Sequence, residues 1–85
     1  MSELADKFNQ ATVDVKTLTE KPSNENLLKL YSNYKQATDG DVSGKRPGFT
    51  NIAGRAKYDS WASLKGQSAD KSMENYIDLV QSLLK

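Results

Sequence analysis

The 85 residues contain no cysteine and no histidine. Without cysteine there is no disulfide framework and no thiolate metal site, and nothing points to an oxidising compartment. Without histidine the chain lacks the usual general base and the usual neutral metal ligand. Serines are present, but no His or Cys can pair with them for nucleophilic catalysis, so no catalytic residue is assigned. There is no P-loop and no G-x-G-x-x-G. No apolar run approaches the roughly 20 residues needed to span a bilayer. The first residues, MSELADKFNQ, are acidic and polar, unlike a signal peptide. These absences lead us to expect a cytoplasmic, non-membrane protein that holds no metal and is not an enzyme; a monomer is the expected state.

Charge is nearly balanced, at +1 overall, which by itself indicates no polyanion partner. Its distribution is uneven: nine of the twelve basic residues fall between 16 and 65, with acids prevailing at both ends. A local anion site suits this better than a nucleic-acid footprint, which needs a larger excess. No helix face carries several Arg, Asn or Gln suited to base edges, and no nucleic-acid partner is expected.

What is present is helical. Leu4, Phe8, Ala11, Val15 and Leu18 follow a 4-3-4-3 spacing, the stripe of an amphipathic helix, with Ser2 as its N-cap. Pro22 breaks it and Ser23 can cap a second helix, from about Asn24 to Thr38. The apolar positions of that helix, Leu27, Leu28, Leu30, Tyr31, Tyr34 and Ala37, predict partners on two sides. Gly40 suits a left-handed C-terminal residue. Residues 39–50, DGDVSGKRPGFT, form the longest loop. A third helix, capped by Thr50 or Asn51, should run to about Lys65, with Ile52, Ala53, Ala56, Trp61 and Leu64 inward. Gly66 ends it. Ser68 caps a fourth, striped by Met73, Tyr76, Ile77, Val80, Leu83 and Leu84. No strand shows convincing alternation. The expected fold is an all-α four-helix bundle forming one domain over 1–85, with a long loop between helices 2 and 3.

Asp39, Asp41, Ser43 and Gly44 match four positions of a calcium-binding loop. Thr50 stands where the bidentate carboxylate belongs, however, and most of the required negative charge is missing. The run Tyr31 to Asp41, YSNYKQATDGD, is more informative. Tyr31 and Lys35 share a helix face, and Tyr34 borders it. Two phenols and an ammonium on one turn suit a ligand with a flat base and phosphate charge. The same spacing also serves a plain packing face with a solvated lysine. In a bundle, Lys16, Tyr31, Tyr34, Lys35 and Lys57 could surround one groove.

The blocks YSNYKQATDGD, KRPGF at 45–49, GRAKYDSW at 54–61, LKG at 64–66 and SMENYIDLV at 72–80 together resemble the acyl-CoA-binding protein family, in order and over nearly the whole chain. The resemblance implies an up-down-down-up bundle that binds medium- and long-chain fatty acyl-CoA thioesters without turning them over. It implies that Tyr31, Lys35 and Lys57 hold the 3′-phosphate of the CoA ribose, that Tyr34 stacks on adenine, that Lys16 assists with phosphate, and that Tyr76 lines the site. Ala11, Lys21, Leu27 and Leu28 match further contacts. Phe8, Val15, Leu18, Tyr76, Ile77, Val80 and Leu83 match packing between the first and last helices. Tyr58 stands where tryptophan is usual, Thr12 where alanine is common, and Arg55 where lysine is frequent. The role implied is a carrier and buffer, compatible with transient membrane contact. A helical protein-interaction module with a tyrosine-rich face is the alternative.

Overall fold

The computed structural model describes residues 2–85. Four α-helices make up the fold: α1 (Glu3–Asp14), α2 (Asn24–Asp39), α3 (Ile52–Ala62) and α4 (Ala69–Leu84). There is no strand among the described residues. Each helix starts on a side-chain cap that satisfies a backbone N–H left without an intrahelical partner. Ser2 Oγ accepts from Ala5 N at 3.0 Å, Ser23 Oγ from Asn26 N at 3.1 Å, Asn51 Oδ1 from Gly54 N at 3.0 Å, and Ser68 Oγ from Lys71 N at 3.1 Å.

Two boundaries differ from the sequence expectation. The first α-helix ends at Asp14 and tightens into a 3₁₀ turn, Val15–Thr17, so Leu18 lies beyond it. The third ends at Ala62 and continues to Gly66 only as turns closed by bonds such as Leu64 N to the Trp61 carbonyl at 3.0 Å. Shortened terminal turns of this kind are common, and apolar spacing does not register them.

Side-chain neighbours give the helix directions. Along α2 and α3 the neighbours rise together: Asn24, Leu27 and Leu28 share one groove with Ile52, Ala53 and Ala56 at the first turns, Tyr31 meets Lys57 further on, and Lys35 meets Trp61 beyond that. The two helices therefore run parallel. A parallel return needs a long connection, which 40–51 provides; that segment can reach about 40 Å when extended. Between α2 and α4 the order reverses, with Gln36 bonded to Gln67 and Asn33 to Asn75. Along α1 and α4 it rises again, from Phe8 with Tyr76 to Leu18 with Leu83. This is the up-down-down-up arrangement.

Phe8, Ala11, Leu30, Tyr76 and Val80 form the buried core where α1 and α2 meet α4, with Val15, Ile77 and Leu83 packed against it. A polar seam runs beside it. Gln36, 1 % exposed, donates from Nε2 to Asp41 Oδ1 at 2.8 Å and to the Gln67 carbonyl at 3.0 Å. Gln67 Nε2 in turn donates to Asn33 Oδ1 at 3.0 Å and to Ser72 Oγ at 2.8 Å. The Nε2 groups of both glutamines are satisfied in this way, while Gln36 Oε1 is buried without a partner among the described residues; the bonds made help set the register of α2 on α4.

The 40–51 loop is fastened to α3. Trp61 Nε1 donates to the Gly40 carbonyl at 2.8 Å, Tyr58 Oη donates to the Gly44 carbonyl at 3.0 Å, and Arg46 makes a two-bond fork with Asp59 at 2.8 and 2.7 Å. Asp41 Oδ1 also accepts from Gly66 N at 2.8 Å. The loop is thereby held against the α2–α3 pair.

Candidate functional site

The parallel α2–α3 pair brings together side chains far apart in sequence. Tyr31 and Lys35 lie one turn apart on α2, and Lys57 and Trp61 lie one turn apart on α3. The Lys57 ammonium sits 5.5 Å from the centre of the Tyr31 ring. The Lys35 ammonium sits 5.0 Å from the centre of the Trp61 ring. Both lysines therefore line one seam, each over a ring on the opposite helix, an arrangement that favours the cation.

The two ammonium groups differ in partners. Lys35 Nζ donates to Asp39 Oδ2, one turn further along α2, and the side chain is only 28 % exposed. This hydrogen bond, and then the charge on the carboxylate, hold Lys35 protonated above its ordinary range and hold Asp39 below the usual carboxylate range. Lys57 is exposed, and among the described residues no carboxylate is within salt-bridge reach of it.

Next to Lys57 the first turns of α2 and α3 diverge and leave an apolar groove of about 310 Å³. Its walls are Asn24, Leu27 and Leu28 on one side and Ile52, Ala53 and Ala56 on the other. Ile52 is 79 % exposed and Ala53 is exposed, which corrects their assignment as inward residues. No further helix covers that side of α3, so a stripe that would otherwise be core becomes the lining of an open channel.

A third feature adjoins the α2 face. Tyr34, 42 % exposed, lies on Phe8 with ring centroids 5.9 Å apart and planes 28° from parallel, and Tyr76 meets Phe8 edge-on at 5.2 Å. Burial, with the Tyr34 phenol nearby, raises the Tyr76 hydroxyl above its ordinary value. Tyr34 thus offers a supported ring with open area, the arrangement that accepts a flat base.

The remaining candidate residues are dispersed. Ala11 is a core residue, 2 % exposed. Lys16 is exposed on the 3₁₀ turn and Lys21 is exposed on the α1–α2 connection. Neither forms a salt bridge or a side-chain hydrogen bond with the seam among the described residues. A larger depression of about 370 Å³, between residues 17–20 and the end of α4, carries no aromatic ring. It offers no stacking platform. The loop carboxylates have other partners: Asp39 holds Lys35, and Asp41 accepts from Gln36 and Gly66.

Asp39 and Trp61 belong to the seam, although the sequence reading placed Asp39 in the loop and Trp61 in the core. The signal for Asp39 was available: a carboxylate four residues after a lysine on a helix is a pairing distance. It was lost because the helix was ended at Thr38, one residue short. Tyr58, which stands where tryptophan is usual, turns its hydroxyl into the 40–51 loop and does not line the groove.

The acyl CoA binding protein family model matches residues 5–80. The chain is 47 % identical to the acyl-CoA-binding protein of Brassica napus over 81 residues, covering 95 % of this chain and 88 % of that one. It is 46 % identical to acyl-CoA-binding domain-containing protein 6 of Arabidopsis thaliana, with the same coverage. In three dimensions it resembles the crystal structure of Oryza sativa acyl-CoA-binding protein 2, with a TM-score of 0.91 at 42 % identity, over 95 % of this chain and 88 % of that chain. It also resembles the crystal structure of the Moniliophthora perniciosa protein, with a TM-score of 0.89 at 35 % identity, over 99 % and 81 %. A parallel α2–α3 pair carrying lysines and tyrosines beside an apolar groove, together with these likenesses across most of its length, makes the chain a member of the acyl-CoA-binding protein family.

Proposed function

We propose that the protein is a carrier and buffer of medium- and long-chain fatty acyl-CoA, acting through a single domain over 1–85 and as a monomer. Tyr31, Lys35 and Lys57 take the 3′-phosphate of the CoA ribose, Tyr34 takes the adenine with Tyr76 beside it, and Lys16 assists from the 3₁₀ turn that follows α1. The acyl chain enters the groove between Leu27, Leu28, Ala53 and Ala56, and Lys21 lies near the groove's α2 side in sequence. Ala11 contributes through the core cluster it shares with Phe8 and Tyr76. One observation carries this reading: Lys57 ends the apolar groove and also covers the Tyr31 ring at 5.5 Å, so a phosphate-binding charge and an apolar channel share one residue.

Simple magnitudes support the division of labour. Charge-assisted bonds from an ammonium to a shielded phosphate contribute about 1.5–3 kcal/mol each. Stacking of adenine on Tyr34 adds about 1–3 kcal/mol by analogy with bases on aromatic platforms. Each buried methylene contributes up to about 0.8 kcal/mol, so a long tail outweighs either polar term. Association costs several kcal/mol and reduces the sum. The tail then sets how tightly the ligand is held, and the phosphate site separates a CoA ester from a free fatty acid. No group poised to attack the thioester is identified, and no turnover is proposed.

Calorimetry tests the reading. Palmitoyl-CoA should bind more tightly than CoA, and CoA more tightly than palmitate. Palmitate binding as tightly as its CoA ester would refute the phosphate clamp.

A further inference from the structure

The geometry points to Asp39 as an internal competitor for the ligand phosphate: its carboxylate occupies Lys35 in the empty protein, so this chain holds CoA esters less tightly than its cationic seam would otherwise allow. This rests on the acyl-CoA reading of the site.

Asp39 is the last residue of α2 and lies one turn beyond Lys35, with Lys35 Nζ donating to its Oδ2. Two other lysines make the same kind of intrahelical pair, Lys7 with Glu3 and Lys29 with Glu25, both at 3.3 Å. Their side chains are 64 % and 57 % exposed, and those pairs are ordinary solvated helix contacts. Lys35 is 28 % exposed and lies against Trp61, so its ammonium has fewer directions in which to find water. A phosphate arriving at Lys35 meets a donor already engaged and an anion already present. Either the carboxylate turns away, giving up its bond, or two anions share one ammonium. Both outcomes weaken binding relative to an uncharged residue at 39. Helix polarity adds to this, because a carboxylate in the last turn faces the negative end of the dipole and gains nothing there. Its main favourable contact is with Lys35, with a lesser one to the Thr38 side chain.

The test uses the whole chain with Asp39→Asn, Asp39→Ser and Asp39→Glu, titrated with palmitoyl-CoA and with palmitoyl-3′-dephospho-CoA. Asp39→Asn and Asp39→Ser should bind palmitoyl-CoA about threefold to tenfold more tightly than the natural chain, a gain that shrinks as salt is added. Asp39→Glu, which keeps the charge, should match the natural chain. The ester lacking the 3′-phosphate should bind all four proteins alike, which a merely structural role for Asp39 would not produce. Equal or weaker binding of palmitoyl-CoA by both neutral variants, with the natural chain still binding it, overturns the competitor role alone. Failure of the natural chain to bind palmitoyl-CoA overturns the site reading, and the competitor role with it.

Discussion

Lys35 and Lys57 carry the same charge, yet the structure uses them differently. Lys35 is partly sheltered, bonded to Asp39 and set over Trp61; Lys57 is exposed and set over Tyr31. Replacing either with alanine should weaken palmitoyl-CoA binding by about tenfold or more, the value of one charge-assisted bond. The stability of the empty protein should respond little. An exposed lysine over a ring contributes about 0.5–1 kcal/mol, and a helix i,i+4 pair about 0.3–0.5 kcal/mol. Thermal melts of both variants check this, and a collapse of the fold would return these residues to a packing role. Tyr58 belongs to the same scale. Its hydroxyl bonds the Gly44 carbonyl at 3.0 Å, so Tyr58→Phe should cost about 0.5–1.5 kcal/mol in denaturant unfolding, with acyl-chain preference unchanged because Tyr58 does not line the groove.

Among the elements, α2 has the most to satisfy. One face packs on α4 through Leu30, Asn33 and Gln36, and another meets α3 through Leu28, Tyr31 and Lys35. Its end is equally constrained. Gly40 has φ 81° and ψ −150°, a conformation almost reserved for glycine, and its carbonyl receives the Trp61 indole N–H. Gly40→Ala should therefore destabilise by about 1–3 kcal/mol although a Cβ there would touch nothing within 4 Å, since the cost is backbone strain and not crowding. Chemical denaturation measures it; an unchanged midpoint would show that the turn relaxes freely. The caps Ser2, Ser23 and Ser68 were legible, and the third helix's was narrowed to Thr50 or Asn51, because a short polar side chain before an apolar-periodic run has a local cause. The ends of α1 and α3 were not. Whether a last turn stays α or tightens depends on what it meets next.

At the scale of the whole molecule, three carboxylates are held below the ordinary carboxylate range, and two of them, Asp41 and Asp59, fasten segments that are distant in sequence. Asp39 is lowered by its bond from Lys35, Asp41 by the Gly66 N–H and then Gln36, and Asp59 by Arg46. A value depressed by folding contributes stability that is present above the unfolded value near about 3.9 and is lost as pH falls through the folded value. The melting temperature should hold through neutral pH and fall below about pH 4. Asp41→Asn, which keeps the accepting oxygen but cannot titrate, should fall less steeply; identical acid limbs would remove Asp41 from the account. Ligand binding should likewise respond as a whole: lengthening the acyl chain should tighten it stepwise until the groove is filled, then level off, as titration of a CoA-ester series would reveal. The sequence by itself determined the helical class, the number of helices, the caps, the break at 40 and the residue types able to meet a nucleotide, because periodicity, capping and side-chain chemistry are local properties. It also left Tyr31 to Asp41 divided between a packing face and a binding face. Only the tertiary structure decided that α2 and α3 run parallel and bring Lys57 over Tyr31, that Ile52 and Ala53 line an open groove and not a core, and that Asp39 reaches Lys35. Those outcomes depend on which faces are left uncovered after the helices pack, and no single segment contains that information.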